Sequence, residues 1–297
     1  MDNNNNHPHA NFAAAVFSNL TYTRGILRPL LPVEVSKNID WKTLKLVDWS
    51  FVDEKLKDYH SDLLFTAKNP NNNNSLDLYI LFEHKSHPDY GILQQLLNYQ
   101  KEVYSRQTKY TPIVPVVFYH GKKKWNIRTS FAQLDSEDLL PYTLNFGYIL
   151  IDLQEVDLTK IRLSLTSSAI LHIFSQIWEV NDIDKLNQYI RFIKGVIRRD
   201  SSDKLLKLIL VYIYRVHSIE PKQVKKLIEN IAPEKGEIAM TTAERLEKRG
   251  IEKGREEGKR EAKIEFAKNF FKNGVSIEII VSSTGLSKEE LRKHGIK

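Results

Sequence analysis

Residues 76–86, LDLYILFEHKS, are an apolar run that closes on charge, rich in the Leu, Ile, Tyr and Phe that favour a strand. Successive strand side chains leave opposite faces, so Glu83 and Lys85 project together while His84 points away. Residues 62–67, DLLFTA, read as a second strand, and the intervening KNPNNNNS holds turn and coil formers, which predicts an antiparallel pair. A helical pattern follows in HPDYGILQQLLNYQKEVYSRQ, with Ile92, Leu96, Tyr99 and Val103 along one stripe. PIVPVVFYH then reads as a buried inner strand, and GYILIDL as a last strand ending at Asp152. A leading helix near 11–31 and the segment LVDWSFV come before the strand pair. Strands alternating with helices in this order predict an α/β fold, a mixed sheet flanked by helices.

Beyond residue 155 the periodicity becomes helical. IRLSLTSSAILHIFSQIWEV, LNQYIRFIKGVIRR and DKLLKLILVYIYRVH each carry apolar residues at three-and-four spacing, which predicts a helical bundle packed on the sheet domain. Its aromatics, Phe174, Trp178, Phe192 and Tyr212, read as core rather than as a base-stacking platform. Residues 244–265 alternate acid and base densely and place Gly250, Gly254 and Gly258 at period four. Glycine costs a helix about 1 kcal/mol relative to alanine, so close helix–helix approach and a solvated linker both stay open there. EFAKNFFKNGVSIEIIVSSTGLSKEELRKH then reads as short helices turning at Gly274 and Gly285, with Ser287 and Glu290 spaced as a capping box. This is a helix-turn-helix pattern, suited either to a DNA groove, through Lys288, Arg292, Lys293 and His294, or to a protein contact and a homo-oligomer. The segments expected are an Asn-rich disordered tail (1–10), an α/β domain (11–155), a helical domain (156–235), a charged helix or linker (236–265) and a small helical module (266–297).

Composition narrows the chemistry. Among 297 residues there is no cysteine, which excludes disulfides, thiol catalysis and zinc-finger sites. A net charge of +7 favours anionic partners. No apolar run reaches the length of a membrane span, and FAAAVF is too short for a signal-peptide core, so a cytoplasmic protein without membrane partners is expected.

Chemistry-bearing residues gather on the strand pair. An antiparallel hairpin brings Asp62 beside Glu83, and two carboxylates at a strand end would hold a hard divalent cation with positions left for water and phosphate. The main-chain carbonyl of His84, lying between Glu83 and Lys85, is a further candidate ligand. Lys85 could orient or help deprotonate an attacking water and stabilise charge on the phosphorane. The plainer reading of Glu-x-Lys is a solvated ion pair, but charges ending so apolar a strand need a partner or a metal. Gln95 and Tyr99, four apart on the predicted helix, could line one pocket, or Tyr99 could belong to the apolar stripe. Lys122, Lys123 and Lys124, ahead of Trp125, are candidate phosphate contacts or a solvated loop, and His120 beside them could approach the phosphate or satisfy local hydrogen bonds.

The ordered segments WKTLKLVDWSFVDEKLKDYHSDLLF, LYILFEHKSHPDYGILQQLLNY and PIVPVVFYHGKKKW, with MTTAERLEKRG and FFKNGVSIEIIVSSTGLSKEEL near the end, resemble the recombination-promoting nuclease and transposase-like family of the PD-(D/E)xK nuclease superfamily. The resemblance runs from about Asn11 to about Asp152 and resumes at the tail. It implies a restriction-endonuclease-like sheet, Asp62, Glu83 and Lys85 as metal-binding and catalytic positions, and Gln95 and Tyr99 as an accessory helix pair. Family members often have Gln where this chain has Lys85, and Ser61 stands where the superfamily's name promises proline. Glu54 could add a carboxylate or be a surface charge. The expected function is a DNA endonuclease of low sequence specificity using Mg²⁺, with Mn²⁺ as substitute, acting on double-stranded DNA in recombination, mobility or defence. The rivals are a DNA-binding or regulatory protein with a vestigial site and an oligomerising scaffold.

Overall fold

Alternation along one strand organises the sheet. The computed structural model describes residues 7–47, 63–70, 77–108, 110–131, 144–180, 182–200 and 202–296. Its strands are β1 (Lys45–Val47), β2 (Leu63–Lys68), β3 (Asp77–Lys85), β4 (Ile113–Tyr119) and β5 (Ile149–Asp152), hydrogen-bonded in that order. β1–β2 and β2–β3 pair antiparallel, the latter from Leu63 opposite Phe82 to Lys68 opposite Asp77, whereas β3–β4 and β4–β5 are parallel. The sheet is therefore mixed, as the pattern predicts.

The even residues of β3, Ile80 and Phe82, enter a core with Phe65, Val116 and Phe118. That face is covered by α1 (Pro8–Phe17), α5 (Leu165–Gln176) and α8 (Lys204–Val216), with the Phe17 and Phe82 rings 4.2 Å apart and Phe12 stacked on Tyr212 at 4.1 Å. The odd residue Leu81 joins Leu64, Val117 and Tyr119 in a second core under α4 (Ile92–Ser105), which contributes Ile92, Leu96 and Val103. Each such side chain stabilises the fold by about 1.5–3 kcal/mol when fully buried. A one-residue slip of β3 would drive Glu83 and Lys85 into the aromatic core, so the pattern holds the register.

The leading helix expected over 11–31 is two helices, α1 and α2 (Leu20–Leu30), because the Asn19 side chain accepts from the N–H groups of Thr21 and Tyr22 and starts a new helix. A short α3 (Val33–Ser36) follows. Helices α5, α6 (Ile183–Phe192), α7 (Lys194–Arg199), α8 and α9 (Pro221–Glu229) feed the same core as the sheet, and Met1–Ala239 forms one compact unit. Phe174 and Tyr212 are core residues and Trp178 packs partly buried against them, but Phe192 is half exposed, resting on the His172 ring at 4.1 Å.

The second unit, Met240–Lys297, starts within α10 (Gly236–Lys272), which runs unbroken through the charged segment. A Cβ added at Gly250, Gly254 or Gly258 would meet nothing within 4 Å. Within this unit α11 (Ile277–Thr284) and α12 (Lys288–Lys293) close around Ala267, Ile280 and Leu291. Gly274 and Gly285 take φ of 78° and 69°, the left-handed turns the sequence calls for, and Ser287 and Glu290 form the capping box in full. Among the described residues no helix is long and apolar enough to cross a membrane.

Candidate active site

The face of β3 that carries Leu81 continues to Glu83 and Lys85, and α4 lies over it. Gln95 on α4 meets the two charges there, and Tyr99, one turn on, meets Gln95. The Gln95 side chain donates from Nε2 to Glu83 Oε1 at 3.2 Å and accepts from Lys85 Nζ through Oε1 at 2.9 Å. Gln95 Nε2 also lies 2.9 Å from the Tyr99 hydroxyl, so Tyr99 is both an apolar-stripe residue, 4% exposed, and part of the polar network. Lys85 Nζ sits 2.9 Å from Glu83 Oε1 and 2.8 Å from Asp89 Oδ2. Glu83, Lys85, Gln95 and Tyr99, each picked out by the sequence, thus form one connected cluster.

Its electrostatics follow from burial. Glu83 is 2% exposed, and burial raises its pKa against the opposing pull of Lys85 and Gln95. For Lys85, burial works against the ammonium, but Glu83 and Asp89 outweigh it and the pKa stands above the ordinary lysine value. Lys85 is therefore a cation at neutral pH. Burial also pushes Asp89 up, yet the Lys85 ammonium and the Gly91 N–H hold it below its usual range.

Glu83 Oε2 is buried with no hydrogen-bond partner among the described residues. An acceptor stranded in this way costs about 1–3 kcal/mol, and a hard cation is a fitting partner for it. Among the described residues no three His, Cys, Asp or Glu side chains stand together as a metal-binding group. Asp62 and Glu54 lie outside the described residues. Mg²⁺ commonly takes one or two carboxylates and keeps several waters, so the stranded Glu83 oxygen fits one of its ligand positions.

The side chain of His84 points to the opposite face, as the alternation requires. It is buried, stacked on His120 with ring centroids 5.0 Å apart, and His120 packs in turn against His9 at 5.2 Å and Trp178 at 5.8 Å. His120 Nδ1 faces the Phe174 carbonyl at 3.2 Å, so this imidazole serves the core and is turned away from the carboxylate–lysine cluster. Burial holds His9 down to about 4 and His120 to about 3, and with His120 and His9 it also holds His84 well below the ordinary histidine value. Lys122, Lys123 and Lys124 are exposed on the loop after β4, anchored by buried Trp125, whose Nε1 donates to the Tyr148 hydroxyl at 3.1 Å. Because Lys85 pairs with Tyr119 across the parallel strands, that loop leaves the same end of the sheet. Lys124 lies 3.8 Å from Glu155, with both side chains largely exposed.

Sequence reasoning missed Asp89. Its signal was the Asp-x-Gly at the entry to α4, where Asp89 Oδ1 accepts from the Gly91 N–H at 2.9 Å and the other oxygen is left for Lys85.

The chain matches the family model described as "Putative transposase, YhgA-like" over residues 7–204, and the "Rpn/YhgA-like nuclease family, C-terminal HTH domain" over residues 260–295. It is 24% identical over 292 residues to "Inactive recombination-promoting nuclease-like protein RpnE" of Escherichia coli (strain K12), covering 93% of this chain and 95% of that one. It is 26% identical over 272 residues to "Recombination-promoting nuclease RpnA" of the same strain, covering 88% of each chain. Similarity to "Recombination-promoting nuclease RpnD" of Escherichia coli O157:H7 is 32% over 99 residues, 31% of this chain and 37% of the relative. No solved structure matches.

Proposed function

This chain belongs to the YhgA-like transposase family, and from that premise we propose that it is a metal-dependent DNA endonuclease whose centre is Glu83, Lys85, Gln95 and Asp62. The observation that carries this reading is the buried Glu83 with one oxygen stranded and the other tied to a lysine and a glutamine. Glu83 and Asp62 would hold Mg²⁺, or Mn²⁺ in its place, with the His84 carbonyl as a further ligand. A bound metal supplies an acidified water and shields charge on the phosphate oxygens. The protein's own part is to place an ammonium beside that charge. Lys85, kept protonated by Glu83 and Asp89, stabilises the phosphorane rather than removing a proton. Gln95 fixes Lys85 and Glu83 relative to each other, and its bond to Tyr99 fixes Gln95. The exposed Lys122, Lys123 and Lys124 contact backbone phosphates, a mode that reads no sequence and fits low specificity on double-stranded DNA. The helix-turn-helix of the second unit adds affinity for DNA, and the chain acts in recombination, DNA mobility or defence in the cytoplasm.

Plasmid nicking by the full chain in Mg²⁺, Mn²⁺ and EDTA, beside Asp62→Ala, Glu83→Gln and Lys85→Ala, tests this. Metal-dependent nicking should fall by about 10²-fold or more in each variant. Equal residual nicking in all proteins would reject the site. A second reading, a DNA-binding protein with a silent centre, is favoured by the relative over 93% of the chain that is named inactive. DNA bound tightly by the wild type without cleavage in either metal would select it.

A further inference from the structure

At the end of β3, Lys85 and Asp89 line a cavity of about 600 Å³. Its lining is rich in planar rings: the imidazoles of His7, His9, His84 and His87, and the phenol of Tyr90. Asp89 is the one carboxylate among these lining residues, and it is paired at 2.8 Å with the Lys85 ammonium, which it shares with Glu83. His84 is 4% exposed, and its Nε2 has no hydrogen-bond partner among the described residues. Tyr90, by contrast, is 79% exposed, with its hydroxyl 3.5 Å from Asn126 Oδ1. A large aromatic ring held in solvent beside a catalytic lysine, facing a polar and aromatic hollow, is unexplained by the fold.

The volume lies within the roughly 300–1,000 Å³ of sites for single small ligands. A base inside a duplex has both faces covered by its neighbours and cannot offer them to Tyr90 or His87. An unstacked base can, and aromatic side chains bind any base through its π-face. We infer that this cavity receives one unstacked nucleotide of the DNA strand whose phosphate meets Lys85, so that the protein engages DNA at unpaired positions in preference to intact duplex. The inference rests on the nuclease reading for the nature of its ligand. Extruding a nucleotide costs least where it is already unpaired, so bulges, frayed ends and gaps are the favoured substrates.

The test uses the full chain in Ca²⁺, with two duplexes labelled far from the site, one fully paired and one carrying a single-nucleotide bulge. Anisotropy titration should show the bulged duplex bound about tenfold more tightly, the scale of one base–aromatic stack. Tyr90→Ala should remove most of that gap, and Tyr90→Phe, which keeps the ring, should retain it. Tyr90 is too exposed for either change to threaten folding. Equal affinity for the two duplexes, no binding to either, or an undiminished gap in Tyr90→Ala would overturn the inference. Cleavage of the same duplexes in Mg²⁺ separates the two ideas. Cleavage without preference leaves the nuclease and removes the nucleotide site, whereas preference without cleavage leaves the site and removes the nuclease.

Discussion

Lys85 is held by three partners at hydrogen-bond distance, and each has a separate consequence. Glu83 and Asp89 keep it charged, and Gln95 keeps it in place. If the ammonium form is the active one, activity is lost when pH rises through the Lys85 pKa. Replacing Asp89 with Asn removes one negative charge, makes the ammonium less stable and lowers that pKa. The alkaline limb of the kcat/KM profile of Asp89→Asn is therefore expected at lower pH than in the wild type. An unmoved limb would mean that Lys85 does not act as the cation. Gln95→Ala tests position rather than charge. It takes a donor from Glu83 and an acceptor from Lys85 together, and a cost of about 10–100-fold in kcat is expected, of the order seen when groups orienting metal ligands are removed. Retained kcat in Gln95→Ala would make the glutamine a bystander.

The strand β3 and the helix α10 show at the level of elements what a sequence can announce. Alternation through Tyr79, Leu81, Glu83 and Lys85 gave the face, and helical spacing put Gln95 and Tyr99 on one side of α4, because period two and period 3.6 are local properties; that the two sets belong together was implied by the family resemblance. Asp89 escaped because a loop has no period, and its meeting with Lys85 depends on how the turn before α4 folds back. The stack of His9, His84 and His120 escaped for a similar reason, since α1, β3 and the residue just after β4 supply one ring each from distant parts of the chain. Helical periodicity predicted a bundle packed on the sheet domain, but not that its residues and the sheet's share one core, because it marks an apolar face without naming what covers it. In α10 the glycines at 250, 254 and 258 sit in open space, with nothing within 4 Å of an added Cβ. Alanine there should gain about 0.8–1 kcal/mol of helix stability per site. Hydrogen exchange of residues 244–265 in the triple Gly→Ala variant should slow accordingly. Unchanged or faster exchange would show that the glycines serve close approach to another helix, which a methyl group would block.

Across the first unit, the histidine stack ties the amino-terminal helix to the sheet and to the later helices. His9 shares a 2.7 Å hydrogen bond with the Tyr212 hydroxyl on α8, and Trp178 Nε1 donates to the His120 carbonyl at 2.7 Å. Burial holds His9 to about 4 and His120 to about 3, against an ordinary value of 6.5. Between those values and 6.5 the unfolded chain binds protons that the folded chain refuses, so stability rises with pH. The stabilisation is complete above about pH 6.5 and is lost as pH falls toward 4 and then 3. The slope is at most about 1.4 kcal/mol per pH unit for each such histidine. Glu83 runs the other way. Its raised pKa makes the folded chain bind more protons above the ordinary carboxylate range, which favours the fold at lower pH and partly masks the histidines. Urea unfolding of the wild type and of His120→Phe between pH 7.5 and pH 4.5 separates the two contributions. The variant keeps an aromatic ring in the stack and every carboxylate of the protein, so its stability should fall less steeply on acidification than that of the wild type. Parallel curves for the two proteins would place the acid sensitivity outside the stack.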